Sequence, residues 1–185
     1  MIEDTLKDAE HRMQSAVTAL DRELSAVRTG RARPALVETI KVDYYGTPTQ
    51  LNQMATINAP EPRLITIQPW DKTQLGAIEK AIQKSDLGVN PTNDGNIIRI
   101  VIPALTEDRR KELVKVVHKK AEDARVAVRN VRRDSLEHLR KAQHDKEITD
   151  DDERRAQDRL QKVTDKYVAE VDHHGQEKEE ELLEV

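Results

Sequence analysis

Four arginines, Arg125, Arg129, Arg132 and Arg133, lie close together in a stretch whose apolar residues recur at helical spacing. On a helical wheel they occupy a sector from roughly 100° to about 200° away from the first apolar position. Lys111, Lys115 and Arg140 extend that sector, whereas Glu112, Asp123, Asp134 and Glu137 collect on the other flank and only Glu122 interrupts it. A guanidinium keeps its charge and presents parallel donors that match a phosphate, so a segregated arginine sector suits a phosphate backbone. The same pattern also describes a solvated face neutralised by an acidic neighbour. Trp70, Tyr44, Tyr45 and Tyr167 are the only aromatic residues, so stacking of single-stranded bases fits poorly and structured RNA read by shape and phosphate fits better.

Other chemistry is weakly signalled. His11, His118, His138, His144, His173 and His174 show no carboxylate or metal partner at convincing helical spacing, and they read as surface residues. Asp150-Asp151-Asp152-Glu153 lacks the alternating ligands and glycine of a calcium loop, and with Thr149 it reads as a helix cap. No glycine-rich phosphate loop ending in Lys-Ser/Thr occurs. Zero cysteines remove disulfide, thiolate and zinc-thiolate chemistry and suit a reducing cytosol. No metal or cofactor site is expected.

Long amphipathic helices must position the arginines. Charged residues make up 36% of the 185 positions, against roughly a quarter in ordinary globular chains, which favours long solvated helices. The net charge of −4 hides a division. Residues 105–145 carry 12 basic and 8 acidic groups and residues 146–185 carry 7 and 14, so a basic segment precedes an acidic one. The longest uninterrupted apolar run is three residues, as in Ile100-Val101-Ile102, against the roughly 18 that suggest a spanning helix. The charged N-terminal residues do not read as a signal peptide.

The first helix is marked by Ile2, Leu6, Ala9, Met13, Ala16, Leu20, Leu24 and Val27, and Thr29-Gly30 is its expected stop. Residues 36–45, 51–57, 64–70 and 97–102 are short β-branched-rich stretches that predict strands, with a short helix over 71–85. All seven prolines lie between Pro34 and Pro103. Beyond them Thr106 opens a second long helix, with a seam at Leu113, Val117, Ala121, Ala124, Val128, Val131, Ser135, Leu139 and Ala142. Thr149 opens a third, through Ala156, Leu160, Val163, Tyr167 and Val171, whose last turns Gly175 interrupts. Three such seams bury only against one another. The expected fold is α+β: an elongated two-domain, L-shaped protein whose three-helix bundle (1–29 plus 106–185) carries an inserted α/β, sandwich-like domain (31–104). The crossings near 30–31 and 104–105 must lie side by side.

The motifs Val27-Arg28-Thr29-Gly30-Arg31-Ala32-Arg33-Pro34, Asp43-Tyr44-Tyr45-Gly46, Ser85-Asp86-Leu87-Gly88-Val89-Asn90-Pro91 and Leu105-Thr106-Glu107-Asp108-Arg109-Arg110, together with Arg125-Val-Ala-Val-Arg129-Asn130-Val-Arg132-Arg133, strongly resemble the bacterial ribosome recycling factor family over essentially the whole chain. The resemblance implies a cytoplasmic, monomeric translation factor, not an enzyme. It implies action on the 70S ribosome after peptide release, with elongation factor G and GTP bound to that partner, to split the ribosome into subunits. The implied contact is large-subunit ribosomal RNA, through Arg129 and Arg132 and then Arg133, Arg125, Arg28 and Arg31. Gly30, Arg31, Ala104 and Leu105 are the implied hinge. The alternative reading is a helical scaffold or protein-interaction module whose basic face is merely solvated.

Overall fold

The computed structural model describes residues 1–184. Its contacts divide the chain into two units, Met1–Val27 with Glu107–Val185, and Arg28–Thr106. No helix among the described residues is long and apolar enough to cross a membrane.

The first unit is a bundle of three helices, α1 (Ile2–Ser25), α4 (Glu107–His144) and α5 (Asp150–Leu183), each packed on the other two. The nine buried residues of α4 are the nine that its periodicity marks, from Leu113 to Ala142. On α1 the buried stripe is Leu6, Ala9, Met13, Val17, Leu20 and Leu24. On α5 it is Ala156, Leu160, Thr164, Tyr167, Val171, Gly175, Lys178 and Leu182. Thr164 replaces the expected Val163 in that stripe at little cost, because its hydroxyl donates to the Leu160 carbonyl at 2.8 Å. Thr149 caps α5 as its sequence predicts: its side chain accepts from the Asp152 amide, and the Asp152 carboxylate accepts from the Thr149 amide.

Two helix ends differ from the sequence reading. The first helix stops at Ser25, four residues before Thr29, its last turn closed by Ala26 and Val27 amides donating to Glu23 and Leu24. Gly30 therefore is not its terminator. Its left-handed φ of 75° serves the connection instead. At the other extreme, α5 runs straight through Gly175. That glycine is buried, and a Cβ placed on it would meet the Ala121 Cβ at 3.3 Å. The missing side chain lets α4 and α5 approach, and tertiary packing overrides its poor helix propensity.

In the second unit, β1 (Lys41–Tyr44) and β2 (Thr47–Gln50) form a hairpin, and β3 (Ala55–Glu61), β4 (Leu64–Pro69), β6 (Ile98–Val101) and β5 (Thr92–Asn93) form an antiparallel sheet in that spatial order. Helix α3 (Leu75–Lys84) buries Ile78 and Ile82 among Val37, Val42, Leu51, Ile65, Ile67, Ile98 and Ile100, an aliphatic core without a fully buried aromatic ring. The strand expected over 36–45 is only half strand. Pro34, with its φ of −53°, starts the one-turn helix α2 (Ala35–Glu38), and β1 begins after it. Strand β2 was not legible because Thr47-Pro48-Thr49-Gln50 reads as turn, yet Pro48 is tolerated in a two-stranded ribbon.

Candidate nucleic-acid interface

Helix α4 places its arginines by where the two neighbouring helices lie. Asp134 faces α1, where it meets Arg12 at 3.0 Å, and Lys120 reaches Glu23 of α1 at 3.5 Å. Arg125 faces α5, and its Nη1 lies 2.5 Å from Asp172 while its Nε donates to Glu122 at 3.0 Å. Partial burial works against that charge, but the bonds to Glu122 and Asp172 outweigh it and hold the guanidinium above its ordinary pKa. Arg129 and Arg133 project between these flanks into solvent. Arg129 has only a long 3.9 Å approach to Glu122 of its own helix, and Arg133 has no ion-pair partner among the described residues.

Arg132 is held differently. Its Nη1 donates to the neutral Gln161 side chain of α5 at 3.1 Å, and its Nε is buried with no hydrogen-bond partner. Arg110 is the other described residue with such an Nε. Of the four central arginines, the acidic helix α5 therefore takes an ion pair from Arg125 alone. Gln161 was not legible as a partner, because only the antiparallel register of α4 and α5 brings it opposite Arg132.

Arg28 and Arg31 belong to the other unit. Arg28 donates to the Leu87 carbonyl at 3.0 Å and to the Asp86 carbonyl, so both terminal nitrogens are engaged by backbone. Arg31 is exposed beside Gly30. The two crossings do run side by side: a Cβ on Gly30 would sit 3.3 Å from the Leu105 side chain and 3.5 Å from its amide. Ala104 precedes Leu105 in irregular backbone.

The histidines correct the sequence reading. His173 has Glu177 one turn along at 2.9 Å, His118 of α4 meets Glu179 of α5 at 3.0 Å, and His174 approaches Asp21 of α1 at 3.5 Å. The two cross-helix pairs depend on bundle packing, which the wheel of one helix does not contain. His173 and His174 turn to different carboxylates, and the described residues hold no group of three metal-ligating side chains.

A family profile described as ribosome recycling factor matches residues 20–183. The chain belongs to the ribosome recycling factor family. It is 57% identical over 185 residues to the ribosome-recycling factor of Syntrophomonas wolfei and 56% identical to that of Carboxydothermus hydrogenoformans, in both cases covering all of either chain. Among solved structures, it is similar to one described as the solution structure of the ribosome recycling factor, with a TM-score of 0.80 and 47% identity, covering 100% of this chain and 98% of that one. It is also similar, with a TM-score of 0.67 and 44% identity over the full length of both chains, to one described as models for the T. thermophilus ribosome recycling factor and the E. coli elongation factor G bound to the E. coli post-termination complex. The α+β architecture of long helices and a small antiparallel-sheet unit is thus that of the ribosome recycling factor family.

Proposed function

We propose that this chain recycles ribosomes after termination: it binds the post-termination 70S ribosome and, together with elongation factor G, parts it into subunits. Full-length identity to ribosome-recycling factors supports this reading. The chain itself performs no catalysis and holds no cofactor in this account. GTP belongs to elongation factor G, and the work of this chain is to be anchored at one unit and pushed at the other. It acts as a monomer in the cytoplasm.

The anchor is the outward face of α4, laid on large-subunit ribosomal RNA. The observation that carries it is the distribution of partners: among the described residues Arg132 and Arg133 have no carboxylate partner and Arg129 has only Glu122 of its own helix at 3.9 Å, although an acidic helix packs alongside. Guanidinium groups left without a tight carboxylate on a helix are preorganised for phosphate oxygens. Arg125 contributes less, being tied to Glu122 and Asp172. Arg28 would have to release two carbonyls to reach RNA, and Arg31 stands at the crossing rather than on α4. The crossings at Gly30, Arg31, Ala104 and Leu105 form the hinge.

Binding to purified large subunits, measured across a salt series, tests the anchor. Wild-type affinity is expected to fall steeply with salt. Arg129→Ala and Arg132→Ala are each expected to weaken binding and flatten the salt slope by about one unit. Unchanged affinity in both variants would return the α4 face to solvation and favour the helical-scaffold reading.

A further inference from the structure

Three of the four aromatic residues of this chain, Tyr44, Tyr45 and Trp70, cluster on one side of the small unit, outside its aliphatic core. The turn between β1 and β2 consists of Tyr45 and Gly46, both with positive φ, at 50° and 83°. Glycine adopts that geometry freely, whereas a bulky aromatic does so only at a cost, so Tyr45 is an outlier that calls for an explanation. The turn leaves Tyr45 74% exposed, its ring edge-on to Tyr44 with centroids 4.6 Å apart, and brings its hydroxyl to Asp71 at 3.3 Å. Trp70 is 66% exposed, yet its indole is not loose: Nε1 donates to Thr56 on β3 at 2.9 Å.

Between these groups lies a recess of about 220 Å³, lined by Tyr44, Trp70, Met54, Asp71, Gln53 and Gln74 together with Thr49. No lysine, arginine or histidine lines it. One Asp71 oxygen caps the turn after it, accepting from the Thr73 amide and hydroxyl, and the other meets Tyr45. These bonds hold the carboxylate below its ordinary pKa, first through the Thr73 side chain, then its backbone, then Tyr45.

We infer that this recess is a socket for a basic side chain, preferentially an arginine, presented by a partner protein. Two aromatic side chains and a carboxylate line it together, and that combination attracts a cation electrostatically and suits a planar guanidinium that stacks on rings. Gln53 and Gln74 add neutral amide groups to the lining, which offers no cationic donor to an anion. The same charge argues against RNA, whose phosphates Asp71 repels. The socket goes beyond the recycling role, and its test uses the isolated full chain, so its failure would leave that role untouched.

Trp70 is the only tryptophan and reports on the socket directly. The measurement is Trp70 emission during titration with the blocked peptide acetyl-Gly-Arg-Gly-amide, with the corresponding Gln peptide and a short oligouridine as comparisons. A saturable response to the Arg peptide alone is expected. Asp71→Asn keeps an oxygen for the Thr73 cap and is expected to weaken the response roughly tenfold or more. Gln53→Lys, at an exposed position outside the cap, is expected to abolish it by placing a rival cation at the mouth. No saturable response, an equal response to the Gln peptide, a stronger one to oligouridine, or wild-type binding by the Gln53→Lys variant would each overturn the socket.

Discussion

Arg132 has a buried Nε without an acceptor, a condition that costs about 1–3 kcal/mol. Its exposed bond to Gln161 returns only about 1 kcal/mol. Such an arginine is poor stability chemistry and sensible binding chemistry. Arg132→Met, which keeps the packed methylenes, is therefore expected to leave the bundle's Tm unchanged or raised while large-subunit binding falls. A Tm drop of several degrees would make Arg132 a structural residue. Asp94 is the opposite case. Its carboxylate accepts from the Arg99 guanidinium and from the Ile97 and Asn96 amides, which together hold it well below the ordinary aspartate pKa. A folded-state pKa depressed in this way gives stability that is complete above the unfolded value, near 3.9, and lost as pH falls below it. Acid unfolding of the small unit, followed through Trp70, is expected to depend less on pH in Asp94→Asn. An identical pH profile in the variant would show that this carboxylate does not contribute.

Helix packing explains Gly175 where helix propensity does not. Alanine there gains propensity but meets Ala121 Cβ at 3.3 Å, so the two effects nearly cancel. Gly175→Leu has no such compensation and is expected to push α4 from α5, destabilising the bundle by about 1–3 kcal/mol in urea unfolding. An unchanged midpoint would mean that the close approach is not required. The same residue shows what single-chain periodicity can carry. The α4 seam from Leu113 to Ala142 and the Thr149 cap were legible because both are local: one is a repeat at 3.6 residues, the other a reciprocal pair three residues apart. In the sequence Gly175 reads as a break, since a glycine that ends a helix and one that admits a neighbour look alike until that neighbour is placed. In the small unit, Pro34 shortens the expected strand over 36–45 and Pro48 sits in a strand that its sequence reads as turn, both through backbone geometry that hydrophobic pattern does not encode. For the candidate site, the arginine sector was legible, but the pairing of Arg125 with Asp172 and the neutral partner of Arg132 were not. Those depend on the α4–α5 register.

At the scale of the whole molecule, the proposed function assigns the holding of RNA to one of the two units and the receipt of a push to the other. Gly30 combines a φ of 75° with close contact to Leu105, so Gly30→Val faces both a disfavoured conformation and a crowded Cβ. That variant is expected to bind large subunits normally and to split ribosomes more slowly. Normal splitting would remove Gly30 from the hinge. Under the proposed function this chain drives subunit separation while anchored by α4. Light scattering of purified post-termination ribosomes mixed with the protein, elongation factor G and GTP measures it most directly. Rapid loss of the 70S signal is expected with wild type, and loss restored only at higher protein concentration with the Arg129→Ala, Arg132→Ala double variant. Stable 70S particles at saturating wild-type protein, or full activity of the double variant at every concentration, would contradict it.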